Sequence, residues 1–71
     1  MGSTEITNSI RVLRFHAGEM SQKELAKLVG VSRQTIVAIE GGKYSPSLEL
    51  AFKIALVFDK PLEEVFQYGS D

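Results

Sequence analysis

Gly30 constrains this chain more than any other residue. It divides residues 22–41, QKELAKLVGVSRQTIVAIEG, into two short amphipathic stretches. Leu25, Val29, Val31, Ile36 and Ile39 recur at helical spacing and so predict one small shared core. Ala26 is small where a second helix must press against the first. A glycine between them suits a left-handed turn that a residue with a Cβ would strain. Ser32, two residues on, is a natural N-cap for the next helix. The stretch therefore predicts two helices crossing tightly at one sharp turn.

A chain of 71 residues allows one domain with a small core, and oligomerisation is a usual remedy for the marginal stability of that size. There is no cysteine, and His16 is the only histidine, so neither disulfides nor a metal site is expected to contribute. No metal and no cofactor are expected, and one histidine with scattered carboxylates forms no catalytic constellation. An enzyme is therefore not expected. No apolar run approaches the roughly 20 residues that span a bilayer, and no signal-peptide layout opens the chain. The expectation is a soluble, cytoplasmic protein with no membrane partner. Met1-Gly2-Ser3 reads as a tag remnant.

The net charge of −1 argues against indiscriminate polyanion binding, and the distribution says more than the sum. Between Ser21 and Ser47, Lys23, Lys27, Arg33 and Lys43 oppose Glu24 and Glu40, giving +2. From Leu48 on, Lys53 and Lys60 face Glu49, Asp59, Glu63, Glu64 and Asp71, giving −3. Arg11 and Arg14 balance Glu5 and Glu19. One end of the domain is basic and the other acidic.

Five helices are expected. The first covers about 8–17, with Ile10, Leu13 and Ala17 inward, and stops at Gly18. Ser21 caps the second, with Glu24 completing a capping box. The third begins after Ser32 and stops at Gly41-Gly42. Ser47 caps a fourth that ends near Phe58, and Pro61 opens a short fifth reaching Phe66. Glu5-Ile6-Thr7 and Phe66-Gln67-Tyr68 are available to pair as a small two-stranded ribbon. The domain proper is placed at 8–68, with an extension at 1–7 and a tail at 69–71.

On the fourth helix, Ala51, Ile54, Ala55 and Phe58 share the face expected to be core. Phe52 and Leu56 fall outside it, next to Glu49 and Lys53. A monomer this small has little with which to cover them. Either loops of the same chain cover them or a second copy does; the second copy is the favoured expectation, with Phe52, Leu56, Leu62, Val65 and Phe66 as the homodimer interface.

The third helix divides the same way. Ile36, Ile39 and Glu40 group inward, and Arg33, Gln34, Val37 and Ala38 group outward. Two helices meeting at a glycine turn form the layout of a helix-turn-helix, whose second helix enters a DNA major groove. An arginine can donate two hydrogen bonds to guanine O6 and N7, and a glutamine can pair with adenine N6 and N7. Val37 and Ala38 offer small apolar surface suited to thymine methyls, which a purely water-facing helix would have little reason to carry. Thr35, to the side, is placed to reach a phosphate, as are Lys43, Tyr44 and Ser45 in the following loop, where Tyr44 is equally suited to anchoring the loop by packing. Gln22 opens the second helix, where backbone N–H groups and the helix dipole favour an anion. Double-stranded DNA is the expected partner.

Residues 10–66 resemble the Cro/C1-type (XRE) helix-turn-helix family of phage and bacterial repressors. The likeness extends past the motif into EGGKYSPSLELAFKIALVF and PLEEVF, nearly four-fifths of the chain. It is strongest with short stand-alone dimeric regulators. The resemblance implies an all-α, five-helix, lambda-repressor-like domain. It implies that Gln22 contacts a phosphate while bracing the recognition helix, and that Arg33, Gln34 and Ala38 read bases. It further implies an ion pair between Arg14 and Glu40. The connection Gly18-Glu19-Met20 departs from the family, being one residue longer than the commoner Gly-Leu form. The function expected is a homodimeric transcriptional regulator, most often a repressor, acting on a short palindrome. The alternative is a protein-interaction module of the same fold, an antitoxin or a bridging protein.

Overall fold

Serine caps and left-handed turns set the element boundaries of this protein, seen in a computed structural model that describes residues 5–69. The expected remnant at Met1-Gly2-Ser3 lies outside the described residues. The order is β1 (Ile6–Asn8), α1 (Ile10–His16), α2 (Gln22–Val29), α3 (Arg33–Glu40), α4 (Leu48–Phe58), α5 (Leu62–Val65) and β2 (Phe66–Tyr68). The Ser21 hydroxyl accepts from the Glu24 N–H at 2.9 Å, and the Glu24 carboxylate accepts from the Ser21 N–H at 3.0 Å. This reciprocal box satisfies two donors that would otherwise be orphaned at the start of α2. Gly30 ends that helix at φ +80°, and Ser32 caps α3 by accepting from the Thr35 N–H at 3.2 Å. Ser47 does the same for α4 through the Leu50 N–H, also at 3.2 Å.

Three expected boundaries move. The first helix starts at Ile10 rather than Asn8, because Asn8 belongs to β1. Phe66 leaves the fifth helix, with φ −125° and ψ 139°, and begins β2. The ribbon is antiparallel, pairing Ile6 with Tyr68, Thr7 with Gln67 and Asn8 with Phe66, so the first strand sits one residue later than expected. A three-residue pair is too small to stand alone. It is anchored where the Ser9 N–H donates to the Val65 carbonyl at 2.9 Å.

The core gathers Ile10, Leu25, Ala26, Val29, Ile36, Ile39, Leu50, Ile54, Ala55 and Val65. Val31, Phe58 and Leu13 are half-buried against it, while Ala17 is exposed and contributes nothing. Leu50, outside the face expected to be buried, joins the core from the first turn of α4. No helix among the described residues is long and apolar enough to cross a membrane.

Candidate nucleic-acid interface

The outward face of α3 is polar at its start and apolar beyond it. Arg33, Gln34 and Val37 are exposed, and Ala38 is half-buried beside them. Val37 keeps 40% of its surface in water, a cost that the core does not require of it. Thr35 is half-buried, and its hydroxyl shares a 3.0 Å hydrogen bond with that of Ser32, so the N-cap orients it. After α3, Lys43 and Tyr44 are exposed and Ser45 is half-buried. The Lys43 N–H donates to the Ala38 carbonyl at 2.9 Å, which ties the start of this loop to the helix.

Behind α3, the structure brings Arg14, Gln22 and Glu40 together. Arg14 donates from Nε to Glu40 Oε2 at 2.7 Å and from Nη2 to Oε1 at 3.1 Å. Its Nη1 donates to the Met20 carbonyl at 2.7 Å. Gln22 Nε2 adds a third hydrogen bond to the carboxylate, at 3.2 Å on Oε1. The pair is nearly enclosed, with side-chain exposures of 15% for Arg14 and 10% for Glu40. Charge-assisted bonds of this two-pronged kind fix orientation as well as distance. They lock α1, the start of α2 and the end of α3 into one unit. The lengthened connection takes part: Gly18 and Glu19 adopt positive φ of 84° and 60°, and Met20 follows with its carbonyl on Arg14.

Two cations that the sequence did not single out border the same cleft. Arg11 of α1 and Lys23 of α2 line it together with Arg14, Gln22, Arg33 and Glu40. Arg14 cancels Glu40, so Arg11, Lys23 and Arg33 leave a local surplus of positive charge. None of the three has an ion-pair partner among the described residues. Helical spacing does bring Arg11 near the turn that carries Arg14. What the sequence could not supply is the angle at which α1 crosses α2.

The expected dimer residues separate into three situations. Phe52 and Leu56 are exposed, at 49% and 78%, and with Leu48 at 67% they form a stripe four residues apart along α4. Leu62 and Phe66 are half-buried and share a shallow groove with Ile6 and Tyr68. Val65 is a correction: it is 0% exposed inside its own protomer and has no surface to offer a partner. Val65 belongs to the core cluster with Ile10 of α1 and Ile54 and Ala55 of α4, and its carbonyl accepts from the Ser9 N–H. Leu28 of α2, 61% exposed and lining a groove with Leu56, was not anticipated.

Residues 11–65 match the family model described as helix-turn-helix. The chain is 60% identical over 52 residues to an uncharacterized HTH-type transcriptional regulator of Methanocaldococcus jannaschii, covering 73% of this chain and 79% of that protein. A second such regulator, from Archaeoglobus fulgidus, is 52% identical over 62 residues, 86% of this chain and 87% of the relative. The cryptic phage CTXphi transcriptional repressor RstR of Vibrio cholerae is 36% identical over 59 residues, 83% of this chain but 52% of its own length. Among solved structures, a protein of Bacteroides fragilis described as a candidate DNA-binding protein superimposes with a TM-score of 0.75 at 24% identity, over 87% of this chain and 98% of that one.

Proposed function

Because this chain belongs to the Cro/C1-type helix-turn-helix family of DNA-binding transcriptional regulators, we propose that it acts as a homodimeric repressor, reading a short inverted repeat with α3. The observation that carries this reading is the outer face of α3. It sets two base-pairing side chains, Arg33 and Gln34, beside exposed apolar surface at Val37 and Ala38. In the major groove, Arg33 takes a guanine and Gln34 an adenine, while Val37 and Ala38 meet thymine methyls. Phosphates on either side fall to Gln22, Thr35, Lys43, Tyr44 and Ser45, with Arg11 and Lys23 widening the basic margin. The Arg14–Glu40 pair is structural and holds α3 against its scaffold.

One such helix contacts about four base pairs, too few for selectivity, whereas a two-fold dimer reads two half-sites about one helical turn apart. The exposed stripe of Leu48, Phe52 and Leu56, with Leu62 and Phe66 at its margin, is the adhesive we assign to the dimer. The name of the RstR relative supports the repressor sense. Selection of bound duplexes from a random pool tests the reading. Recovery of an inverted repeat with half-site centres about 10–10.5 base pairs apart is expected. Recovery of no common sequence would overturn it.

A further inference from the structure

Asn8 joins the terminal ribbon to the recognition helix, and we propose that it is a positioning residue for base reading. Its Nδ2 donates to the Ile39 carbonyl at 3.0 Å and, more weakly, to the Glu40 carbonyl at 3.5 Å. Its Oδ1 accepts from the Ile10 N–H at 3.1 Å, so the same side chain satisfies the first turn of α1. Through its backbone it is paired with Phe66 of β2.

The last four carbonyls of a helix have no partner within it and must find one elsewhere. In α3, Val37 is served by the Gly41 N–H, Ala38 by Lys43 and Ile39 by Gly42, all from the loop that follows. The cross-element bonds to these carbonyls come from Asn8 alone among the described residues. The C-terminal end of α3 is thus clamped twice: its last side chain by Arg14 and Gln22, its main chain by Asn8.

The clamp acts at the opposite end of the helix from the first base-reading residue. Arg33 and Glu40 are seven residues apart, about 10 Å at 1.5 Å of rise each. A tilt of about 10° at the clamped end would therefore carry Arg33 nearly 2 Å sideways. Two-pronged pairing tolerates only about 0.5 Å of misplacement, whereas a phosphate contact through a long lysine is more forgiving. Losing the Asn8 clamp degrades discrimination between sequences more than it degrades affinity for DNA in general.

This inference rests on the reading of α3 as the base-reading helix, and two variants test it. Asn8→Asp keeps the acceptor for the Ile10 N–H, at a helix start that favours negative charge, but has nothing to donate to Ile39. Asn8→Ala removes both roles. The added charge of the aspartate weakens all DNA alike, so the readout is the ratio of affinities for the selected operator and a random duplex in one buffer. At a temperature where circular dichroism shows both variants folded, we expect the ratio to fall about tenfold in each, the lower range of one two-pronged base contact. Asn8→Ala should leave the random-duplex affinity within about twofold of the unmodified protein. A ratio unchanged in both folded variants overturns the role of Asn8 and leaves the base-reading assignment standing. An unmodified protein that prefers no sequence overturns that assignment and the inference with it. If neither variant folds, exchange of the Asn8 side-chain amide protons in the unmodified protein decides. Protection that persists in the operator complex supports the clamp, and exchange at the rate of a free amide overturns it.

Discussion

Removing Glu40 should destabilise the protein by a large fraction of its total stability. The carboxylate receives two bonds from Arg14 and one from Gln22, in a site where both charged side chains keep 15% or less of their surface exposed. Glu40→Ala leaves the Arg14 guanidinium with the Met20 carbonyl as its remaining partner. Breaking a fully buried pair costs about 3–5 kcal/mol, and the residual exposure here lowers that to about 2–4 kcal/mol. Domains of this length have about 4–10 kcal/mol in total, at roughly 0.05–0.15 kcal/mol per residue. The midpoint of thermal unfolding should accordingly fall by on the order of 10–30 °C. Urea melts followed by circular dichroism on Arg14→Met, Glu40→Leu and the double variant supply the test. Replacing both partners removes the stranded charge, so the double variant should be more stable than the sum of the singles predicts, by about 1–3 kcal/mol. Additive losses below about 1 kcal/mol would refute the enclosed, three-bonded carboxylate on which the estimate depends.

Arg33→Ala should cost about 1–3 kcal/mol on the operator and relax preference at one base pair per half-site, measured by titrating single-substituted duplexes. Lys43→Ala and Arg11→Ala should instead weaken all duplexes similarly, each lowering the slope of log K against log salt by about one per protomer. Leu56→Asp places a charge on the α4 stripe and should yield monomers in sedimentation, with operator affinity at least about tenfold lower because the second half-site is lost. A variant that sediments and binds like the unmodified protein would remove Leu56 from the interface.

The features legible in the sequence are mostly local. The Ser21–Glu24 box, the left-handed Gly30 and the Ser32 and Ser47 caps each depend on residues within one turn, and the helix boundaries they imply match the fold. The division of α3 into an inner face with Ile36 and Ile39 and an outer face with Arg33, Gln34 and Val37 follows from helical period alone. Partners far apart in the chain were harder. Arg14 and Glu40 are 26 residues apart, and family likeness rather than any spacing brought them together. The role of Asn8 is not legible in the sequence, because its contacts lie 31 and 32 residues away and depend on where the ribbon closes. Val65 reads as open surface in the sequence for the same reason. Its burial depends on how α5 packs back on α4 and α1, which no local pattern in PLEEVF specifies.

The central claim is that the outer face of α3 lies in the major groove at two places one turn apart. The chain has no cysteine, so Val37→Cys creates a unique attachment point at an exposed position on that face. A chelated iron on this thiol cuts the DNA nearest to it. We expect cleavage of the selected operator at two symmetric positions, centred about 10–10.5 base pairs apart. The same label on the acidic fifth helix, at Glu64→Cys, should give no focused cuts. Focused cleavage from Glu64→Cys, or only diffuse cleavage from a Val37→Cys conjugate that still binds the selected operator, would contradict the account.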